Sequence, residues 1–445
     1  MIPIQGARHL TSSGPPKTVF LPGTLQLPRE FFPTRIAFVL LWLFVFAIPV
    51  ENVLVLPGVG TVSRLVGFLT LPFCLVVILE RGHLRRLSAI HGLMALYVFW
   101  ACLTYFWTAE PARTLRVMGT YVQLLVMVWL FWELASSRDR QHALLKAFVW
   151  GAMVSSLATL HVDVTGPTKS YQRYVAFGFD PNDLGLVLAL SVPLSLYLAE
   201  AEIRPLRRML HRCQTVFAVA ATLMTASRGA TLALAVGLIL IPLNFSRWNF
   251  RRQMEIVLAL SLGVGAAVLL VPQTSWKRLA SIKNEVREGS FNQRLLIWQT
   301  GWDDFRKRPF FGVGMSALAP TVERHLGQPY EGELVAHNSF LSVLFEGGVV
   351  GFGIYASLLL AMVLAVLRVP SLERNLWLVA LLAWGVGVCS LTWEYRKPTW
   401  FLFGMLTVQA NGFVAARKQL AARSVDPRKR RSIHPSERWS RISSI

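Results

Sequence analysis

A polar triplet, His337-Asn338-Ser339, opens directly onto an apolar run inside the stretch Val335–Leu367. A bilayer crossing needs roughly 20 apolar residues, so the run is long enough and His337 falls at a membrane surface. Histidine titrates near neutral pH and can move protons for a substrate anchored in the adjacent lipid. When the chain is threaded through a membrane, other unusual polar residues fall on the same side. They are Arg173, the Asp180-Pro181-Asn182-Asp183 cluster, Arg228 in the turn Ser227-Arg228-Gly229, and Arg294. Together they make a cationic site with one titratable base.

Each residue also has a plainer use. His337 could be a helix-start residue whose ring serves backbone donors, and His325 competes with it from a weaker context. Asn338 or Ser339 suits a helix cap. Arg228 is either a solvated interfacial arginine or an anion ligand. A helical wheel puts Arg294 within about 40° of Trp298 and about 20° of Phe305, so it faces inward with the aromatics of a helix in which Leu295, Trp298, Trp302 and Phe305 recur at spacings of three and four. Arg306, Lys307 and Arg308 read as interfacial anchors. Arg173, near Tyr171 and Tyr174, is open to either reading. Asp180 and Asn182 suit a helix start with Pro181 in the first turn. Asp303 and Asp304 project about 100° apart on a helix, which is poor geometry for a shared metal. Glu346 is an intramembrane carboxylate, a functional candidate by default. It stands about 180° around the helix from His337, so it supports packing or pairs with a neighbouring helix unless Gly347-Gly348 distort the geometry.

These residues must be held by membrane helices. The 445 residues are 54% hydrophobic, with mean hydropathy +0.47, which is too apolar for an ordinary soluble domain. The net charge of +21 is spread in short clusters between apolar runs. That distribution marks topology and excludes a nucleic-acid face. About 12 apolar segments of spanning or near-spanning length fall at approximately 36–52, 62–79, 89–107, 116–134, 143–161, 184–200, 213–226, 229–245, 254–272, 338–367, 375–392 and 399–415. With the amino terminus in the cytoplasm, the cytoplasmic segments hold roughly 27 basic residues against about 8 in the short outer loops. Both termini are therefore expected inside.

The expected organisation is a cytoplasmic amino-terminal tail over 1–35, a polytopic transmembrane catalytic domain over 36–416, and a basic cytoplasmic tail over 417–445 that is disordered or lies on the surface. An outer loop at 273–337 interrupts the domain, and its helical periodicity near Leu295–Phe305 predicts that it folds against the membrane. No cleavable signal is read at the start, so the first span serves for insertion. Cys74, Cys102, Cys213 and Cys389 read as free buried thiols.

The ordered set FGFDPNDLGLVLALSVPL, ASRGATLAL, QRLLIWQTGWDDFRKRPFFGVGMSAL and HNSFLSVLFEGGVVGFGIY resembles the O-antigen ligase and O-antigen polymerase family of bacterial membrane glycosyltransferases. The resemblance covers roughly residues 170 to 367 in motif and the whole chain in topology. It implies an all-α fold of about 12 transmembrane helices with a large, partly helical periplasmic loop between the ninth and tenth, in the bacterial inner membrane. It implies transfer of a glycan from an undecaprenyl-diphosphate carrier to a lipid, glycan or protein acceptor, without metal, cofactor or nucleotide. His337 is then the base, Arg228, Arg294 and, less securely, Arg173 are the diphosphate ligands, and Asn338, Glu346, Asp180 and Asn182 give support. A glycosyl diphosphate is already activated, so stabilising the departing diphosphate and deprotonating the attacking hydroxyl suffice. Polymerase activity is the close alternative, and a lipid-linked glycan transporter is the alternative from another class.

Reporter fusions after residues 85, 140, 208 and 249 are expected to read as cytoplasmic, and those near 110, 168 and 320 as periplasmic. An active periplasmic reporter at 208 would overturn the topology and the site with it.

Overall fold

The computed structural model describes residues 32–52, 55–56, 60–165, 174–176, 178–245, 249–251, 253–255, 257, 258, 261, 265, 271–280, 290–326 and 334–425. Arg173, residues 1–31 of the amino-terminal tail, most of the expected ninth span and the tail beyond Val425 lie outside them. The helices are α1 (Phe32–Ala47), α2 (Val62–Arg81), α3 (Ala89–Leu103), α4 (Pro111–Leu134), α5 (Arg138–Thr165), α6 (Pro181–Ala201), α7 (Pro205–Met224), α8 (Arg228–Leu238) and α9 (Leu240–Phe245). They continue with α10 (Gln273–Ala280), α11 (Ser290–Lys307), α12 (Leu318–Leu326), α13 (Ser339–Val366), α14 (Ser371–Val388) and α15 (Lys397–Val425). Among the described residues, the strand content is one antiparallel pair, Val55–Leu56 with Gly60–Thr61.

The protein is an all-α membrane protein. Seven helices among the described residues are long and apolar enough to cross a bilayer: α2 to α6, α13, and α1 with its following 3-10 turn. Every apolar segment read from the sequence, apart from the ninth, falls on a helix, although α7, α8 with α9, α14 and α15 are shorter or more polar than these seven. The central helix is α6, with 83% of its apolar window buried against 22% for α2. A helix apolar on all sides belongs inside a bundle. The helices packed around it are α5, α7, α8 and α14, and α15 packs on α4 and α13; α14 and α15 bury Trp377, Trp400, Phe401 and Phe403. Small residues permit these contacts: a Cβ on Gly387 would meet Leu186 Cδ1 at 2.3 Å.

Three ion pairs, Arg81–Glu133 at 2.9 Å, Lys146–Glu202 at 2.8 Å and Arg138–Glu373, join helix ends on the side expected to be cytoplasmic. On the other side the chain turns tightly between α7 and α8, as expected for two helices split at Ser227-Arg228-Gly229. Ala226 takes a left-handed φ of 49°, and Ser227 begins α8 by accepting a hydrogen bond from the Ala230 N–H.

The long helix α13 is broken at Gly348, with φ 67° and ψ −174°. This conformation is essentially restricted to glycine. The break frees backbone groups, and the segment after α11 takes them up. Val313 N–H donates to Phe345 O and Gly314 N–H to Glu346 O, both at 3.0 Å, while Val349 N–H donates to Pro309 O at 2.8 Å. Trp100 Nε1 donates to Gly347 O at 2.9 Å. The outer loop is thus folded onto α13, with Ile297, Leu318, Val322, Leu334, Ala336 and Phe345 as its own small core.

Two expectations need correction. Leu295 and Trp302 are 43% and 42% exposed, and Ile297 takes the buried position instead, because α11 packs through Gly301 against Phe345. Of the four free cysteines, only Cys74 is buried and Cys389 is exposed. Within the expected basic tail, α15 continues to Val425.

Gly348→Ala is expected to lower the melting temperature of the purified protein sharply. Its Cβ would lie 2.3 Å from Phe310 O on a backbone that costs an L-residue about 1–3 kcal/mol. Gly353→Ala, in helical backbone with nothing within 4 Å of the new Cβ, should be neutral or stabilising by about 0.4–1 kcal/mol.

Candidate active site

Three of the singled-out sequence elements are helix starts, and the fold brings them to one segment. Asp180 caps α6, accepting from Asn182 N–H at 2.8 Å and Asp183 N–H at 3.1 Å. Ser227 caps α8. Asn338 caps α13, accepting from Phe340 N–H at 2.9 Å and Leu341 N–H at 3.1 Å. The segment Ser390–Arg396, between α14 and α15, touches all three. A Cβ on Gly229 would lie 1.8 Å from Ser390 Oγ. Ser339 Oγ donates to Leu391 O at 3.0 Å and accepts from Trp393 N–H at 2.7 Å. Trp393 Nε1 donates to Asp183 Oδ1 at 2.8 Å, and Arg396 pairs with Asp183 Oδ2 at 3.1 Å. A helix N-terminus carries a partial positive charge from its unpaired N–H groups. Here the carboxylates of Asp180 and Asp183 already answer that charge at α6, while α8 and α13 are capped by the neutral side chains of Ser227 and Asn338.

His337 is fixed from both sides. Before it, Trp298 Nε1 donates to Ala336 O at 2.8 Å; after it, Asn338 begins α13. Between these anchors its backbone takes φ 47°. Histidine tolerates the left-handed region better than most residues, but the conformation persists only where neighbours impose it. Among the described residues, the non-glycine positions with positive φ are Ala226, Ser316 and His337. All three lie in the turns and loop on this side of the bundle.

Arg294 lies one helical turn before Trp298, so the helix that clamps Ala336 also presents this guanidinium on the same flank. It is half-buried, and burial followed by the positive charge of Arg228 lowers its proton affinity. The positive charge of Arg228 thus acts on Arg294 although 66 positions separate them in sequence. A diphosphate could meet guanidinium charge here through paired N–H···O bonds.

Glu346 faces the outer loop, where its carboxylate accepts from Ser316 N–H at 2.8 Å and Leu318 N–H at 3.4 Å. The sequence reading expected packing or a neighbouring helix, with the Gly347-Gly348 distortion as the exception, and the break does occur at Gly348. The carboxylate thus holds the start of α12 and the strained Ser316. Asp303 and Asp304 pair locally with Arg306 and Lys307, the latter at 2.8 Å. Among the described residues, no group of three or more His, Cys, Asp or Glu side chains converges as a metal site.

Sequence reading passed over Asp183 as an individual residue, and also Glu394, Arg396 and Lys397. Glu394 is buried, accepts from Ser342 Oγ at 2.8 Å, and burial pushes its carboxyl above the usual range. Lys397 pairs with Glu51. A signal was present: Trp393-Glu394-Tyr395-Arg396-Lys397 packs three charges between two apolar runs.

Glu346→Ala should loosen the 310–326 segment, because it leaves the Ser316 and Leu318 N–H groups without their acceptor, at a cost of about 1–3 kcal/mol for a buried polar group. Faster amide exchange at Ser316–Leu318 and faster proteolysis there, with the bundle intact, are the expected readings; unchanged exchange would refute the role.

Residues 214–356 match the family described as O-antigen ligase. The match contains Arg228, Arg294, His337, Asn338 and Glu346 and stops short of Arg173, Asp180 and Asn182. No curated protein matches the chain.

Proposed function

We propose that this member of the O-antigen ligase family transfers a glycan from a lipid-diphosphate carrier, of the undecaprenyl type, to an acceptor hydroxyl at the outer face of the bacterial inner membrane. The family supports a ligase- or polymerase-like role in polysaccharide biosynthesis and a bacterial membrane location. The observation that carries the finer reading is the clamped, left-handed His337, with Arg294 on the same flank of the helix that clamps it.

In this reading the donor diphosphate lies across the two guanidiniums, near the helix starts that gather at Ser390–Arg396. Negative charge grows on the diphosphate as the glycosyl bond breaks, so cations fixed in advance stabilise the transition state more than the ground state. His337 accepts the proton of the attacking hydroxyl. The strained backbone sets its ring by two flanking anchors and spares it a search over rotamers. Arg173 is assigned to the diphosphate by the family resemblance alone, Asp180, Asn182 and Asn338 support the site as helix-start residues, and Glu346 holds the outer loop in place. The chemistry needs neither a metal nor a cofactor.

Donor binding and single-turnover transfer, measured with purified variants in lipid, separate these roles. His337→Ala is expected to slow transfer about 100- to 10,000-fold while donor binding is retained. Arg228→Ala and Arg294→Ala should weaken binding and transfer together, with partial rescue by lysine, since a point charge replaces a two-pronged fork. Activity should survive EDTA. Retained transfer in His337→Ala, or its loss of donor binding to the extent seen in the arginine variants, would overturn the assignment. Offering a lipid acceptor and a second lipid-linked glycan separately distinguishes ligase from polymerase by product.

A further inference from the structure

A cavity of about 400 Å³ lies between α1, α2 and α4, closed at one end by Tyr395–Lys397. It lies outside the His337 site. Its walls are apolar over most of their length, through Phe44, Phe68, Leu71, Leu124, Met127 and Leu130. Its polar groups gather at the outer end, where Arg64, Arg396 and Lys397 stand with Glu51. Two wall residues, Phe68 and Val122, are also 54% and 47% exposed. They sit on α2 and α4, so the mouth opens on the flank of the bundle between these helices, where lipid would lie.

The charges at the rim do not cancel. Lys397 pairs with Glu51 and Arg396 with Asp183, which leaves three cations against two carboxylates, a net charge of one. The remaining cation is Arg64, exposed in the first turn of α2 and without an acidic partner among the described residues. A soluble anion would meet this rim but make no use of the apolar walls. A neutral lipid would fill the walls and leave the cation unanswered. A lipid carrying a phosphate satisfies both, with its head at the rim and its first chain segment along the walls.

We propose that this cavity is a second lipid site, which holds the phosphate-bearing head of a membrane-anchored molecule other than the donor bound at Arg228 and Arg294. It is second only on the functional reading above; the cavity, its cationic rim and its lateral mouth do not depend on that reading. The segment Ser390–Arg396 separates the two places, touching Gly229 and Ser339 on one side and ending at the cavity rim on the other. A transferase joining two lipid-borne partners needs two such entrances, and this arrangement supplies them on either side of one short segment.

The test uses the full chain in phosphatidylcholine nanodiscs doped with phosphatidylglycerol or, separately, with a polyprenyl monophosphate, and counts retained lipid by native mass spectrometry. Wild type should retain at least one of the two over phosphatidylcholine, and the better-retained probe identifies a bulk phospholipid or a polyprenyl source. Arg64→Glu, which reverses the rim charge, and Leu71→Trp, which fills the cavity, should each lower retention about tenfold while donor binding stays within about twofold of wild type. Arg228→Ala should leave retention unchanged. The proposal is overturned if wild type prefers neither phosphate lipid, if both cavity variants retain lipid as wild type does, or if they lose donor binding in parallel. Retention is read without turnover, so failure of the transfer mechanism leaves this result standing.

Discussion

The face opposite the one expected to be cytoplasmic depends on a close approach at Gly229. No side chain fits there, since a Cβ would fall 1.8 Å from Ser390 Oγ. The start of α8 can therefore press against the segment joining α14 to α15. That segment is also bonded to the start of α13 through Ser339 and to the start of α6 through Asp183. Three helix N-termini are thus held together, and the positive end of α6 is answered within the protein by the carboxylates of Asp180 and Asp183. Packing of the buried Trp393 and Trp400 and the hydrogen bonds of the segment fix the arrangement.

The break at Gly348 performs a related task. An unbroken helix would satisfy its own carbonyls and leave the outer loop nothing to bond to. Breaking it exposes Phe345 O, Glu346 O and Gly347 O to donors from the loop and from α3. The loop is then tied to the bundle by backbone bonds, and the Glu346 carboxylate fastens the start of α12. Because α11 belongs to this tied unit, Trp298 reaches the peptide before His337 from a fixed direction. The rigidity of the candidate base therefore originates in a break several turns away along α13.

Carboxylates meet basic partners at both ends of the bundle. At the end expected to be cytoplasmic, Glu133, Glu202 and Glu373 each do so, as buried carboxylates must. At the opposite end Glu51 pairs with Lys397 and Asp183 with Arg396, while the rim of the lateral cavity keeps one net positive charge among the described residues.

The helices were legible in the sequence because their apolar runs are set by bilayer thickness, a constraint each segment meets on its own. The tight turn at Ser227-Arg228-Gly229 was legible for a similar reason, since arginine is costly inside lipid. Arg294 could be assigned to an inward flank by helical period, but Leu295 and Trp302 on the same helix could not. Which positions are buried depends on Gly301 meeting Phe345 from another helix, and periodicity is silent on the partner. The clamp on His337 and the gathering of helix starts at Ser390–Arg396 were decided by tertiary structure alone. They arise from contacts between segments tens to hundreds of residues apart, and no local pattern encodes such distances. The same holds for the lateral cavity, whose walls come from α1, α2 and α4 and whose charges come from both ends of the chain.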